Sequence, residues 1–291
     1  MMVQAPEYLT VRELAELLRI KERKVYDLAA SGQVPVSRAT GKLLFPEAEV
    51  RAWIDGHLTR PSATVDRPKV MLGSFDPLLE WAIRQSQCGL ASLLDGSSDG
   101  LERFAAAEGL AAGIHIHDAN SDDWNIVAVS DVRDQDAVLL AWAKRMRGLV
   151  MRPELQGQVN TVEDLRGRTV AARQRTSGTE VLLSHLLDSA GIAPSSVTFT
   201  EPVRSERDAV MAVVESEADV TFGLEALARP FGLPFVPLVE ERFDLLVDRR
   251  AFFESAMQGL MTFTRTRAFQ DKARILGGYD IADLGKVRWN A

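Results

Sequence analysis

Apolar positions follow two different rhythms along this chain. Val11, Leu14, Ala15 and Leu18 recur at helical spacing, and Val25, Leu28 and Ala29 repeat it. Thr10, followed three residues later by Glu13, has the form of a capping box for the first helix. The second helix is expected over about Glu22–Ala30, with Gly32 closing it as the first residue past the end. Val34–Pro35–Val36 and Leu43–Leu44–Phe45 read as two short strands around the turn Ala39–Thr40–Gly41–Lys42. Pro46 then opens a third helix, Glu47–His57, with Val50, Trp53 and Ile54 facing inward.

Residues 59–69, TRPSATVDRPK, read as a linker. From Val70 the rhythm changes to short apolar strands alternating with amphipathic helices, an α/β pattern. Strands are expected at Val70–Ser74, Gly89–Leu94, Thr169–Arg173, Val197–Thr200, Ala218–Phe222 and Phe243–Val247. Helices are expected to open at Asp76–Pro77, Asp99, Ser177–Gly178, about Ser205 and Leu224, and two more to cover about Phe252–Gly277.

Composition adds little to the fold. Hydrophobic residues make up 46% and charged residues 26%, as in ordinary globular chains. Charge is more telling. The net charge is -7 at pH 7, yet residues 1–60 carry +1, and Arg19, Lys21, Arg23, Lys24, Arg38 and Lys42 crowd into residues 19–42. A local basic patch on an acidic chain suits a DNA reader whose other domain avoids phosphates. The one cysteine, Cys88, permits no internal disulfide, which fits a reducing compartment. The start MMVQAPEYLT lacks the basic and apolar regions of a secretory leader. No apolar run approaches the roughly 20 residues of a membrane span. A cytoplasmic location and no membrane partner are therefore expected.

Helix, turn, helix, hairpin, helix is the order of a winged helix-turn-helix. Its second helix would present Lys21, Arg23 and Lys24 to a major groove, while Arg38, Thr40 and Lys42 on the hairpin would reach backbone phosphates or a minor groove. The competing reading is a solvated charged face. The segment resembles the excisionase/MerR-type winged helix-turn-helix family. The resemblance rests on Tyr8–Leu9–Thr10–Val11, Leu14–Ala15–Leu18, Val25–Tyr26–Leu28, Gly32–Gln33–Val34–Pro35 and Phe45–Pro46–Glu47–Val50–Trp53–Ile54, and implies double-stranded DNA as a partner.

Four strand-to-helix junctions share one chemistry: Gly73–Ser74, Gly96–Ser97–Ser98, Thr176–Ser177–Gly178–Thr179 and Gly223–Leu224–Glu225. Each puts small or hydroxyl residues where a helix begins, where free N–H groups and a partial positive charge attract anions. Taken singly, such residues are ordinary caps and turn formers; Asp76 and Asp99 read mainly as caps. Converging on one cleft, the four would make an anion pocket with few full charges.

This region resembles the type II periplasmic-binding-protein superfamily, and more narrowly the molybdate-binding-protein-like domain fused to helix-turn-helix regulators. The carrying motifs are Gly73–Ser74–Phe75–Asp76–Pro77, Asp95–Gly96–Ser97–Ser98–Asp99–Gly100, Gln174–Arg175–Thr176–Ser177–Gly178–Thr179, Ala218–Asp219–Val220–Thr221–Phe222–Gly223–Leu224–Glu225 and Gly277–Gly278–Tyr279–Asp280. The resemblance implies two lobes joined by crossing strands, with a tetrahedral oxyanion, molybdate or tungstate, in the cleft. It points to Ser74, Ser97 and Ser177 as first ligands and to Thr176, Gly178 and Thr179 next. Arg173 and Arg175 would supply charge or form surface ion pairs. Phe75 stands where the family pattern commonly has histidine, a departure that bears on selectivity.

The expected organisation is thus a DNA-binding domain over 1–58, a linker over 59–69 and a two-lobed domain over 70–291. Lobe 1 would take about 70–150 and 240–291, and lobe 2 about 151–239. His115 and His117, two apart on an expected strand, share a face and could bind a metal, but Asp118 is the sole nearby candidate for a third ligand, and the pair reads as structural or solvated. Cys88 reads as a packing residue pointing away from the cleft. No Gly-x-Gly-x-x-Gly and no P-loop occurs. Neither an enzyme nor a resident cofactor is expected. The combined reading is a ligand-responsive regulator, with a homodimer expected for two half-sites. Alternatives are the same regulator sensing an organic anion, amino acid or molybdenum-cofactor precursor, and an intracellular oxyanion carrier.

Overall fold

A computed structural model describes residues 7–39, 41–56, 66–132, 136–175 and 177–291. They divide into two compact units, split between residues 64 and 65.

Unit 1 runs β1 (Tyr8–Leu9), α1 (Val11–Leu18), α2 (Glu22–Ala30), β2 (Phe45–Pro46) and α3 (Glu47–Gly56). The capping box forms: Thr10 Oγ1 accepts from Glu13 N at 3.3 Å, and Glu13 Oε2 accepts from Thr10 N at 2.7 Å. Arg19, left-handed at φ 54°, stops α1 and turns the chain into α2. Leu9, Leu14, Val25, Ala29, Val34, Phe45 and Val50 form the core. The hairpin departs from expectation. Among the described residues only Ser37 and Leu44 pair across it, while Phe45 and Pro46 pair antiparallel with Leu9 and Tyr8. Phe45 is fully buried, and its backbone pairs at the core with β1 instead of across the wing. Thr40 and His57 lie outside the described residues.

Unit 2 is built on one mixed sheet. In chain order its first part is β3 (Val70–Gly73), α4 (Pro77–Ser86), β4 (Ala91–Leu93), α5 (Ser97–Ala105), β5 (Ala111–Ile114), the hairpin β6 (His117–Asp118) and β7 (Asp123–Trp124), and α6 (Ile126–Val129). Then come β8 (Ala137–Met151), β9 (Thr169–Ala171), α7 (Gly178–Ser189), β10 (Thr198–Phe199), α8 (Glu206–Val214), β11 (Val220–Leu224) and α9 (Glu225–Ala228). The last part is β12 (Phe235–Asp248), α10 (Arg249–Phe252), α11 (Ser255–Thr264), α12 (Arg267–Leu276), β13 (Tyr279–Asp280) and β14 (Val287–Asn290). Strand order is β10-β9-β11-β8-β12-β5-β3-β4, with β13 and β14 also on β8.

The two lobes follow from this order. β3, β4 and β5 are parallel to one another and belong to lobe 1; β9, β10 and β11 are parallel and belong to lobe 2. The antiparallel pair β8 and β12, 15 and 14 residues long, runs through both. β5 pairs with β12 at Asp244–Val247, and β11 pairs with β8 at Arg147–Met151, so each lobe grips an opposite end of the crossing pair. Separate apolar clusters fill them, around Leu78, Trp142 and Phe269 in lobe 1 and around Leu149, Leu183 and Phe222 in lobe 2. The long strand β8 replaces what sequence periodicity left unassigned, and the expected strand Phe243–Val247 is the end of a far longer one.

The end of the expected linker is not free chain. The guanidinium of Arg67 donates to the carbonyls of Phe104 (2.7 Å) and Gly109 (3.0 Å), lies 4.3 Å above the Phe104 ring and pairs with Asp248 at 3.2 Å. All of these partners belong to lobe 1.

Close backbone packing sets where α5 begins. Gly73 has φ +97°, and a Cβ there would stand 2.2 Å from the Gly113 carbonyl oxygen. A Cβ on Gly100 would stand 2.3 Å from the Gly73 Cα. Helix α5 therefore rests directly on β3, with its first turn at the strand's end. Gly100→Ala should destabilise unit 2 by about 3 kcal/mol, the upper end of overpacking costs, because backbone rather than a movable side chain is in the way. Urea denaturation of the full chain measures it; a loss within ~0.5 kcal/mol of zero would show that α5 shifts freely.

Candidate functional site

At the middle of the crossing pair, Arg145 and Arg147 lie two apart on β8 and so share a face. Glu241 stands opposite Arg145 on β12. All three are essentially fully buried. Arg145 pairs with Glu241 and, at 3.0 Å, with Asp76 Oδ2. Arg147 Nε donates to Glu241 Oε2 and its Nη2 to Glu206 Oε1, both at 2.8 Å. Trp142 Nε1 (3.1 Å) and the Tyr279 hydroxyl (2.5 Å) donate to Asp76, which also caps Leu79 N at 2.6 Å. Asp76 is thus a cap, as expected, and also one end of an ion network. Burial pushes the Glu241 carboxyl up, but Arg145 and Arg147 outweigh it and hold the group well below its ordinary range. Burial lowers the His115 imidazole, so it is neutral although Glu241 Oε2 is 3.2 Å from its Nδ1.

Beside this network lies a cavity of about 30 Å³, lined from lobe 1 by Ser74, Phe75 and His115 with the Leu94–Gly96 loop. From lobe 2 come Arg173, Ser177, Gly178, Thr179, Arg204 and Glu206. The lobes touch here: a Cβ on Gly178 would be 2.9 Å from the His115 carbonyl oxygen, and the His117 and His185 rings stand 5.5 Å apart. Two helices open on the cavity. Helix α5 has Gly96 at its cap position and no side-chain cap. Helix α7 is capped by Ser177, whose Oγ accepts from Glu180 N at 3.2 Å. Their N-terminal N–H groups make a partially positive environment. The volume suits a compact ion, set against the ~300–1,000 Å³ of drug-sized sites.

Three of the four junctions meet at this cavity. Ser74, Ser177, Gly178 and Thr179 line it. Ser97 stands just behind: its Oγ is 2.8 Å from Ser74 Oγ and accepts from His115 N at 3.0 Å. Thr176 lies outside the described residues. The fourth junction does not reach the cavity. Glu225 turns instead toward Gly277 and Gly278, within 3 Å of where their Cβ atoms would be, and lines a separate surface recess with Arg145 and Tyr279. Asp99 is not a cap; it is in the first turn of α5 and pairs with Arg103 at 2.8 Å. Phe75 does line the cavity. Arg173 lines it and donates to the Val203 carbonyl at 2.9 Å, while Arg175 is exposed and does not.

His115 and His117 do not share a strand face. His115 follows β5 and is buried against Glu241; His117 begins β6 and bonds Asp122 at 3.0 Å. Cys88 packs near Gly259, away from the cavity. Sequence reasoning missed Glu206 and Arg204, which have no local signature, and gave His115 no place at the cleft. The junction Gly96–Ser97–Ser98–Asp99–Gly100 also has the Gly-x-Ser-x-Gly spacing of a nucleophile elbow. Ser98 is exposed there, and no histidine hydrogen-bonds it among the described residues.

In unit 1, Lys21, Arg23 and Lys24 are exposed at the start of α2, and Tyr26 and Asp27 are exposed beyond them. Lys42 is exposed on the hairpin. Arg38 also faces solvent, but its Nη2 donates to the Ala29 carbonyl at 3.0 Å, tying the wing to the end of α2. The polar start of α2 thus stands clear while Val25 and Ala29 hold its back face in the core.

A helix-turn-helix domain model matches residues 8–57. A PBP superfamily domain model matches residues 80–265, well over half of the chain. The chain belongs to the PBP superfamily. This PBP-superfamily protein is 22% identical to the uncharacterized protein YvgK of Bacillus subtilis (strain 168) over 310 aligned positions, covering 96% of each chain. It is 26% identical over 109 residues to an uncharacterized protein in the ferredoxin 2Fe-2S gene 5′ region of Clostridium pasteurianum, covering 37% of this chain and 96% of that one. Similar solved structures include the alkanesulfonate-binding protein SsuA of Xanthomonas axonopodis pv. citri bound to MOPS, at 14% identity and TM-score 0.46, covering 73% of this chain and 79% of that one. Holo ArgBP of T. maritima is another, at 14% identity and TM-score 0.43, covering 69% and 92%. No helix among the described residues of this PBP-superfamily protein is long and apolar enough to cross a membrane.

Two outcomes follow from the buried charges. Glu241→Gln leaves Arg145 and Arg147 short of a carboxylate, and should lower stability by about 3–5 kcal/mol; thermal unfolding checks it, and an unchanged midpoint would count against the network. Asp244, bonded by Asn125 Nδ2 at 2.7 Å, has its carboxyl raised by burial to about 6. The folded state therefore holds this proton more tightly than the unfolded chain, and stability falls as pH rises through roughly 4 to 6. Asp244→Asn should remove that slope and raise stability at pH 7 by roughly 1–3 kcal/mol. Parallel pH profiles for variant and parent would refute it.

Proposed function

We propose that this protein is a ligand-responsive transcriptional regulator: unit 1 binds double-stranded DNA, and the cleft of unit 2 binds a small oxyanion that alters the DNA affinity. The observation that carries this is the convergence of two helix starts, three serines or threonines and two arginines on one compact inter-lobe cavity, in a chain that also bears a helix-turn-helix domain. Molybdate and tungstate are the oxyanions the sequence resemblance names; the small cavity supports only the class, a compact anion in preference to an amino acid, a larger organic anion or a molybdenum-cofactor precursor. The proposed site binds its ligand without transforming it and needs no resident cofactor. Two copies would read two half-sites, which makes a homodimer the proposed DNA-binding form, working in the cytoplasm. A carrier in which unit 1 only tethers the protein is the rival.

Ligand would act by preferring one arrangement of the lobes, and can shift DNA affinity only by that preference, typically 5–150-fold. Gel-shift titration of the protein's own upstream DNA, without anion and with molybdate, sulfate or phosphate in turn, should show such a change for the oxyanion that binds. Replacing Arg23 and Lys24 together by Ala should weaken binding and lower the log–log salt slope by about 1–2. Ligand binding with no effect on a DNA complex, or with no complex at all, would favour the carrier.

A further inference from the structure

Arg173, Arg204 and the serine and threonine hydroxyls can all donate into the cavity, but two carboxylates also line it, the exposed Asp95 and the buried Glu206. Glu206 opens α8, is 5% exposed and lines the cavity. Its Oε1 is already engaged, accepting from Arg147 Nη2 and from Thr179 Oγ1, both at 2.8 Å. Its Oε2 is buried and has no hydrogen-bond partner. A buried carboxylate oxygen left without a donor is costly, and such costs are normally met by a partner.

The surrounding charges keep this group an acceptor. Burial raises the Glu206 carboxyl, but Arg147 and Arg145 outweigh burial and leave it lowered. Arg145 and Arg147 are shared among three carboxylates, Asp76, Glu206 and Glu241. They have no spare positive charge for a dianion placed beside Glu206. Arg173 also lines the cavity, with Nε buried and without a hydrogen-bond partner. The cavity therefore offers an unmet donor and an unmet acceptor on the same lobe.

We infer that Glu206 makes the cleft selective for oxyanions that carry a proton, accepting a hydrogen bond from the ligand's own hydroxyl. This rests on the reading that the cleft holds a small oxyanion, and it names the class. A hydrogen phosphate or hydrogen arsenate presents oxygens to Arg173 and the helix starts, and an O–H to Glu206. Sulfate, selenate, molybdate and tungstate have no proton to share at neutral pH, and set a bare oxygen against the carboxylate. A site with a buried group built for a hydrogen bond rejects ligands lacking the complementary group far more strongly than a size difference would.

Isothermal titration calorimetry of the full chain at pH 7 tests this with pairs matched in size: phosphate against sulfate, and arsenate against selenate, with molybdate and tungstate alongside. The expected result is that phosphate and arsenate bind at least ~100-fold more tightly than their aprotic counterparts. Glu206→Gln, which offers an amide in place of the carboxylate, should narrow each ratio at least ~10-fold, largely by improving sulfate and selenate. The wild-type ratios stand as a test even if that variant fails to fold. Sulfate, selenate, molybdate or tungstate binding as tightly as phosphate would overturn the inference and leave the oxyanion reading intact. Failure of all six anions to bind would remove the oxyanion reading, and this inference with it.

Discussion

Two buried guanidiniums hold the centre of unit 2. Arg145 and Arg147 leave water where β8 passes between the lobes, and isolated charges cannot remain there. Glu241 supplies the facing charge from β12, Asp76 from the start of α4 in lobe 1 and Glu206 from the start of α8 in lobe 2. One network therefore touches both crossing strands and a helix start in each lobe. An apolar core at this point would stabilise as well or better, but it would not tie the starts of α4 and α8 to the same two side chains. The cavity takes its position from that arrangement, because Glu206 and Thr179 form its wall and hydrogen-bond one another.

What could be read from sequence was the chemistry that neighbours complete. Thr10 and Glu13 cap α1 within four residues, and Ser177 caps α7 within four. The serine-rich junctions were visible for the same reason, since a helix start satisfies its first N–H groups locally. What could not be read was topology. Gly223–Leu224–Glu225 has the same local character as the others, yet strand order delivers it to Gly277 and Gly278 instead of the cleft. β8 went unassigned because Lys144–Arg145–Met146–Arg147 breaks the apolar alternation of a buried strand. Those arginines belong inside only once Glu241, 94 residues from Arg147, stands across from them. Glu206 is equally silent: one acid at a helix start looks like a favourable helix-dipole charge, and only the fold turns its free oxygen into a buried acceptor.

The small residues of lobe 1 complete the picture. Gly73, Gly100 and Gly113 let α5 lie on β3 at backbone distance, which brings Ser97 to Ser74 and to the amide of His115. Side chains at these positions would push the first turn of α5 outward and leave the donors of the cavity unconverged. The wing of unit 1 shows the opposite economy. Among the described residues its pairing is the bridge between Ser37 and Leu44, with Phe45 drawn into the core, and Arg38 bonds the end of α2.

Arg67 gives the molecule a frame of reference. It is bonded to Phe104, Gly109 and Asp248, all in lobe 1, so residue 67 already belongs to that lobe. A domain border drawn where the composition changes would therefore cut into lobe 1, because Arg67 is already part of its hydrogen-bonded structure.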